Sequence, residues 1–578
     1  MTGDLARRLE RLPASDKALL LVLAAAGLVA LLLGLGFGMA TGLARGGFLA
    51  NFPGGLDDET GYRLMTLHGM DAFFHWLSFA QVFLLLVLTV GHVGRAGESP
   101  RASNEGSERI AGRPAAWAGA AAMIAGLVLS QAGVLFGPAL LYDAPPELAV
   151  DPAPAVAAIH GGYLLLAAGL FLLAGSAVAT ALAAKRAGGG EWSSIAFAAV
   201  AWAGLLMVSA IAAFNAFGPA FLWALGFGPL PPDYSTAWHL LFHNMHYLPL
   251  MATVVVWYAL VRELTGVDSV FGAAFSKIIF AAYLVFVPPT SLYHMFLEPD
   301  LPDTVRTLGS LLSLFIGVPT ILVFLVLAAS LEVRARALGA GGLFGWIGRL
   351  PWRHPAMAAI GAAVVNLALG GAFSFVLIQE KLAPLLSDTF MVPGYFHFLT
   401  LGTVTLTLLA GFVVALPALA GRAMRAETWL VRLPWLATAG LLVFGAAGIA
   451  AGYMGVPRRT ISVAYDGLAP PAWSGLMTWV GVGAGVMGLA MIAYVVLLAA
   501  SLLGPARVTP LGVHSHDGAP APAASWSGGG AAAATLPARA WTGPLAVFVL
   551  LAAMAAFTAL AFEVMARLPV AVAGGGGH

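Results

Sequence analysis

Long apolar runs separated by short polar breaks dominate this chain. Thirteen runs are long enough to cross about 30 Å of hydrocarbon as helices. They lie at roughly 18–44, 64–93, 115–142, 154–184, 193–226, 236–262, 269–297, 304–333, 355–379, 392–418, 431–453, 473–503 and 541–567. The pattern predicts an all-α fold, a polytopic membrane bundle of about 13 transmembrane helices. The first run follows Arg7, Arg8, Arg11 and Lys17 and exceeds the length of a signal core, so a retained span is expected. The breaks divide the chain into a cytoplasmic segment 1–17, a membrane domain 18–503 with 12 helices, a flexible linker 504–540, and a last helix and tail at 541–578. The linker contains the low-complexity run "DGAPAPAASWSGGGAAAATLP".

Composition agrees. The 578 residues are 60% hydrophobic and 10% charged, where a soluble domain carries roughly 25% charged residues. Most of the chain therefore belongs in lipid. A net charge of +1 gives no reason to expect nucleic acid as a partner. The absence of cysteine excludes iron–sulfur clusters, thiolate zinc, disulfides and covalently attached heme, and leaves histidine as the main candidate ligand. Basic residues gather on alternate loops, as at Arg109 and Arg113 or Arg334 and Arg336, while the opposite loops keep few. That bias predicts a cytoplasmic N-terminus and a periplasmic C-terminus in a bacterial-type inner membrane.

Nine histidines fall within the predicted spans: His68, His75, His92, His160, His239, His243, His246, His294 and His397. Ionisable groups at membrane depth are costly unless paired or ligated. His239, His243 and His246 follow a four-then-three spacing and project from one helical stripe, with His294 further along, so a metal site is expected there. His68, Asp71 and His75 also share a face, and Asp71 could orient one of the two histidines. His160 reads as a histidine hydrogen-bonded between helices, and His92 as interfacial. Arg458 and Arg459 form an adjacent guanidinium pair suited to carboxylates, on the face where basic residues are scarce.

Together these motifs resemble subunit I of the heme-copper oxidase superfamily, nearest its B-type branch, from the first helix to about residue 470. In that family, histidines on helices two and ten clamp a low-spin heme. "TLHG" supplies His68 and "PGYFHFL" supplies His397. The His-x-x-x-Tyr element of helix six is matched by His243 and Tyr247 in "HNMHY". The resemblance implies copper on that histidine, with the tyrosine as a proton and electron donor. It also implies heme propionates on Arg458 and Arg459.

Two positions depart from the family. Its helix ten reads His-Phe-His, the first histidine being proximal to a second, high-spin heme; here Tyr395 stands in that place. Two residues subtend about 200° on a helix, so Tyr395 and His397 face opposite ways. On helix seven, adjacent copper-binding histidines are replaced by Tyr293-His294. Three outcomes follow for the second pocket: a tyrosinate-ligated heme, a heme without protein ligation on that side, or no second heme. Copper could be completed by His243, His294 and either His239 or His246.

The resemblance implies a respiratory oxidoreductase subunit with a low-spin heme b. A cytochrome c-like or cupredoxin donor would supply electrons, and any thiolate copper site would lie on a separate subunit II-like chain. The acceptor would be O2 by family default or NO as a variant, for which Glu298 is the one acidic candidate. The altered reaction centre raises a second expectation, an electron-transfer or sensor protein that keeps the low-spin heme and has lost oxidase activity.

Overall fold

The computed structural model describes residues 4–49, 56–92, 109–137, 141, 153–188, 191–230, 234–287, 317–377, 382–462 and 467–504. Its helices are α1 (Asp4–Arg11), α2 (Ala14–Arg45), α3 (Asp58–His92), α4 (Arg113–Leu135), α5 (Ala153–Gly188), α6 (Ser194–Ala224) and α7 (Tyr234–Thr265). The second half carries α8 (Gly272–Phe286), α9 (Gly317–Ala337), α10 (Pro355–Leu377), α11 (Met391–Ala420), α12 (Glu427–Tyr453) and α13 (Pro471–Ala500). Among the described residues, eleven helices are long and apolar enough to cross a membrane, and the shorter α8 occupies the seventh predicted span. The run at 541–567 lies outside the described residues, as does most of the 504–540 linker.

Local signals set the helix ends. The Asp57 carboxylate accepts from Thr60 N at 2.7 Å and starts α3. Thr60, first through its side chain and then through this backbone N–H, also holds the carboxyl below its ordinary pKa. Ser193 caps α6 in the same way through Ala196 N, and Gly421 ends α11 in the left-handed region at φ 62°.

Burial divides the bundle into centre and rim. In the most apolar window of each helix, 94% of α3 and 83% of α11 are buried, against 44% of α4 and α10. Helices that are apolar all round and covered on every side make the centre. The α4–α5 pair packs backbone to backbone: a Cβ at Gly126 would lie 2.5 Å from Gly162 O. At the N-terminal end of α2, Leu5 and Leu9 of α1 are buried, and the Glu263 carboxylate accepts from Leu5 N and Ala6 N.

Both central helices contain a π turn, Met70–His75 in α3 and Phe398–Thr405 in α11. Each turn holds one residue more than an α turn and often marks function. In α11 the Thr403 hydroxyl donates to Phe398 O, a carbonyl of the widened turn. Trp76, just after the first π turn, donates to Thr405 at the end of the second at 3.0 Å. The two central helices are thus tied where both change pitch.

Candidate functional site

His68 and His397 each stand just ahead of a π turn, on the two most buried helices. Their ring centres are 6.0 Å apart and their planes differ by 11°. His68 Nδ1 lies 2.8 Å from Gly34 O on α2, and His397 Nδ1 lies 2.8 Å from Pro393 O. A carbonyl only accepts, so both Nδ1 atoms carry the proton and both Nε2 atoms keep a lone pair. Two metal–nitrogen bonds of about 2 Å, plus roughly 1 Å from each ring centre to its nitrogen, total about 6 Å. The spacing is therefore wide enough for both histidines to hold one iron, and the carbonyls at Nδ1 fix the ring tautomers.

Small residues on α2 make this placement possible. A Cβ at Gly38 would lie 2.5 Å from His68 Nδ1, and one at Gly34 would lie 2.8 Å from Ala72 N. Phe444 of α12 covers His397, with ring centres 4.8 Å apart.

The arginine pair sits on a pinned loop. Phe390 N donates to Val456 O at 2.7 Å, Arg458 N to Asp388 O at 3.0 Å, and Thr389 pairs with Pro457 as an isolated bridge. The Arg458 guanidinium donates to Asp388 Oδ1 at 2.9 Å, while Arg459 is exposed. Arg45, 3% exposed at the end of α2, donates to Arg458 O at 2.6 Å and Pro457 O at 2.7 Å and stacks over Phe390. The sequence offers one signal for Arg45, its place closing a long apolar run. Three buried atoms at this end of α12, Arg458 Nε, Tyr453 OH and Thr460 Oγ1, have no hydrogen-bond partner among the described residues. Such donors suit the oxygens of a carboxylate-bearing cofactor.

Tyr395 packs beside Val376, Leu377 and Met391, whereas His397 meets His68 and Phe444, so the two side chains do part company on α11. Tyr395 lies within electrostatic reach of Tyr247 on α7 and of Arg458. No Lys or Arg lies on α11 itself, and the positive charge within reach of Tyr395 comes from the loop after α12. The side chains of His239, His243 and His246, and all of Tyr293, His294 and Glu298, lie outside the described residues. Among the described residues, no three histidine or acidic side chains gather as a metal site.

One pairing differs from expectation. Asp71 orients neither histidine: its Oδ1 accepts from Gln131 at 2.6 Å, while Gly34 O holds His68 and Ser130 holds His75. The π turn alters the facing assumed from 100° per residue. His160 does bridge helices, to Tyr234 at 2.9 Å.

The family model for cytochrome c and quinol oxidase polypeptide I matches residues 18–487. The chain belongs to this family. Among similar proteins, cytochrome c oxidase subunit 1 of Thermus thermophilus is 30% identical over 233 residues, 40% of this chain and 41% of that one. A probable cytochrome c oxidase subunit 1-beta of Nocardia farcinica is 29% identical over 151 residues, 26% of this chain and 24% of that one. Each match thus spans less than half of the relative. The fold is shared with a heme-copper terminal oxidase dimer solved by cryo-electron microscopy, at a TM-score of 0.74 and 20% identity over 92% of both chains. Membership in this oxidase subunit I family and the helical bundle make the chain an integral membrane protein.

Proposed function

We propose that this family member is the heme-bearing subunit of a respiratory oxidoreductase, in which His68 and His397 would hold a low-spin heme b. The observation that carries the reading is the facing imidazole pair, 6.0 Å between centres and with both Nδ1 atoms tied to carbonyls. When bound, the heme supplies one-electron chemistry at its iron. The chain's own groups do the holding. Gly34 O and Pro393 O fix the ring tautomers, and Arg458 and Arg459 would hold the propionates by charge-assisted hydrogen bonds. Electrons enter from a cytochrome c-like or cupredoxin donor on a subunit II-like partner, and the N-terminus faces the cytoplasm.

The reaction centre lies around Tyr247 and Tyr395, with copper on His243 and His294 and either His239 or His246. Tyr247 keeps a phenolic proton at its oxygen for the small-molecule acceptor, O2 by family default and NO as the variant. Tyr395 in the proximal place makes this second pocket unlike the family's. The alternative, a low-spin electron-transfer or sensor protein without oxidase turnover, draws on the same feature.

Reduced-minus-oxidised spectra with and without CO test both readings. Loss of the low-spin α-band in His68→Ala and in His397→Ala is expected; its persistence in both rejects the ligand assignment. A CO-sensitive signal supports the oxidoreductase, and a low-spin signal alone supports the alternative. Elemental analysis after copper-replete growth checks the metal site, which is rejected by copper far below one equivalent.

A further inference from the structure

Among the described residues, amide side chains on the spanning helices are bonded inside the bundle, with one exception. Gln81 accepts from Trp202, Gln131 donates to Asp71, and Asn366 donates to Ala362 O and Thr438. Asn215 of α6 is exposed and makes no side-chain hydrogen bond to any described residue. Exposed hydroxyls on a span can turn back on their own helix, as Thr478 does to Ser474 O at 3.0 Å. The Asn215 amide does not do this. It also lies at hydrocarbon depth. The 31 residues of α6 make about 46 Å of helix, of which hydrocarbon takes about 30 Å. Centring leaves about 8 Å at each end, whereas the nine residues from Asn215 to Ala224 span about 14 Å. Lipid tails offer the amide neither donor nor acceptor, and a hydrogen-bonding group left so is costly.

The side of α6 around Asn215 has the form of a packing seam. Val208, Ile211, Asn215, Gly218 and Leu222 recur at alternating steps of three and four residues and so share one stripe. Val208, Ile211 and Leu222 are each about half exposed. Helices α3, α5, α7 and α8 all pack on α6, yet no described helix covers this stripe. Nothing lies within 4 Å of the Cβ positions of Gly218 or of Gly204, which precedes Val208 by one step. Another helix can therefore approach the backbone closely there.

We propose that this stripe is the interface of a symmetric dimer of the chain, in which the two Asn215 side chains bond one another. Copies of one chain insert the same way, so the twofold axis relating them stands along the membrane normal. Equal residues then meet at equal depth. A carboxamide completes itself in that setting, each copy donating through Nδ2 and accepting through Oδ1. Glycines on the seam let the two backbones close up, and a polar residue at a single seam position fixes the register. The apolar run at 541–567 is the rival occupant, but its sequence carries no amide to exchange two such bonds with Asn215.

The chain has no cysteine, so single-cysteine variants of the full protein, oxidised in native membranes, read the contact directly. A disulfide needs Cα atoms within about 7 Å of each other. Ile211→Cys and Gly218→Cys should give covalent dimers, while Val285→Cys, at a position 62% exposed on α8, should not. The strength of association is read separately, by energy transfer between labelled chains diluted into liposomes. Asn215→Leu keeps an apolar surface and should raise the dissociation constant roughly 3- to 30-fold. Equal dimer yields at Ile211, Gly218 and Val285 would mean random collision and overturn the interface. A dissociation constant that Asn215→Leu leaves unchanged, or monomers at both seam positions, overturns it as well. Thr558 lies nine residues before the end of the 541–567 run, as Asn215 does in α6. A disulfide within one chain in the Asn215→Cys, Thr558→Cys double variant would assign the stripe to that run and reject the dimer.

Discussion

Replacing Gly38 by Ala adds one methyl group at the closest approach of α2 to a candidate iron ligand. The new Cβ would lie 2.5 Å from His68 Nδ1 and 2.6 Å from Cε1, where ordinary contact begins at 3.4 Å, a shortfall of about 0.9 Å. The ring cannot absorb this freely, because Nδ1 is held 2.8 Å from Gly34 O. Nor can α2 back away cheaply, since Gly34 and Gly42 are in equally close contact with Ala72 and Ala484. Overpacking of this kind costs about 1–3 kcal/mol, which is roughly 5- to 150-fold in the fraction of correctly ligated sites. Metal–nitrogen bonds tolerate shifts of only about 0.2 Å. The expected result is therefore a smaller low-spin α-band per protein, with a matching rise in heme-free or high-spin protein. Gly36→Ala is the control: its Cβ meets nothing within 4 Å, and Ala for Gly stabilises a helix by up to about 1 kcal/mol. Purified variants compared by heme-to-protein ratio and difference spectrum decide the matter. Equal low-spin bands in Gly38→Ala and Gly36→Ala would refute the claim that α2 sets the His68 ring.

Removing the positive charge in an Arg458→Gln, Arg459→Gln double variant should lower the low-spin midpoint potential, because oxidised heme is then opposed less. Asp388→Asn should raise it, since Asp388 partly neutralises Arg458 at 2.9 Å; shifts of the same sign in a redox titration would indicate loop collapse instead of charge. Tyr395→His restores the nitrogen ligand of the family and should bring a histidine-ligated, CO-binding high-spin signal distinct from anything the parent shows. A normal histidine-ligated high-spin signal in the parent would contradict the placing of Tyr395. At the start of α10, His354 Nδ1 accepts from Ala356 N, and burial pushes the imidazole down to about 4. An unfolded histidine titrates near about 6.5, so the contribution of His354 to stability is complete above that pH and is lost as pH falls through about 4. The unfolding midpoint of wild type should drop more than that of His354→Asn between about pH 7 and pH 5, and equal drops would dismiss the effect.

The spans were legible because a helix in lipid must bury its own backbone bonds over a fixed length, which leaves an unmistakable apolar run. His68 and His397 were legible for a related reason, as costly groups in short motifs on helices two and ten. Their orienting partners were not. Gly34 O and Pro393 O are backbone atoms, which every residue carries and no motif announces. Asp71 was misassigned because face arithmetic at 100° per residue fails across the π turn, and because Gln131 is an ordinary residue until α4 packs beside it. The loop holding Arg458 reads as a basic pair in sequence, yet its position is set by Arg45 and Asp388, far away along the chain.

That last separation also bears on biogenesis. Arg45 waits for a backbone carbonyl 413 residues downstream. At about 5–20 residues per second, a ribosome needs about 20–80 s to make that length. Until then these two hydrogen bonds of Arg45 cannot form, and its long side chain can reach toward the headgroups at the membrane surface. The corner between α2, α11 and α12 gains these two bonds only once α12 and its following loop have been made. A cofactor carrying carboxylates would thus meet an open cleft through most of synthesis, and Arg45 would act as the latch that shuts it at the end.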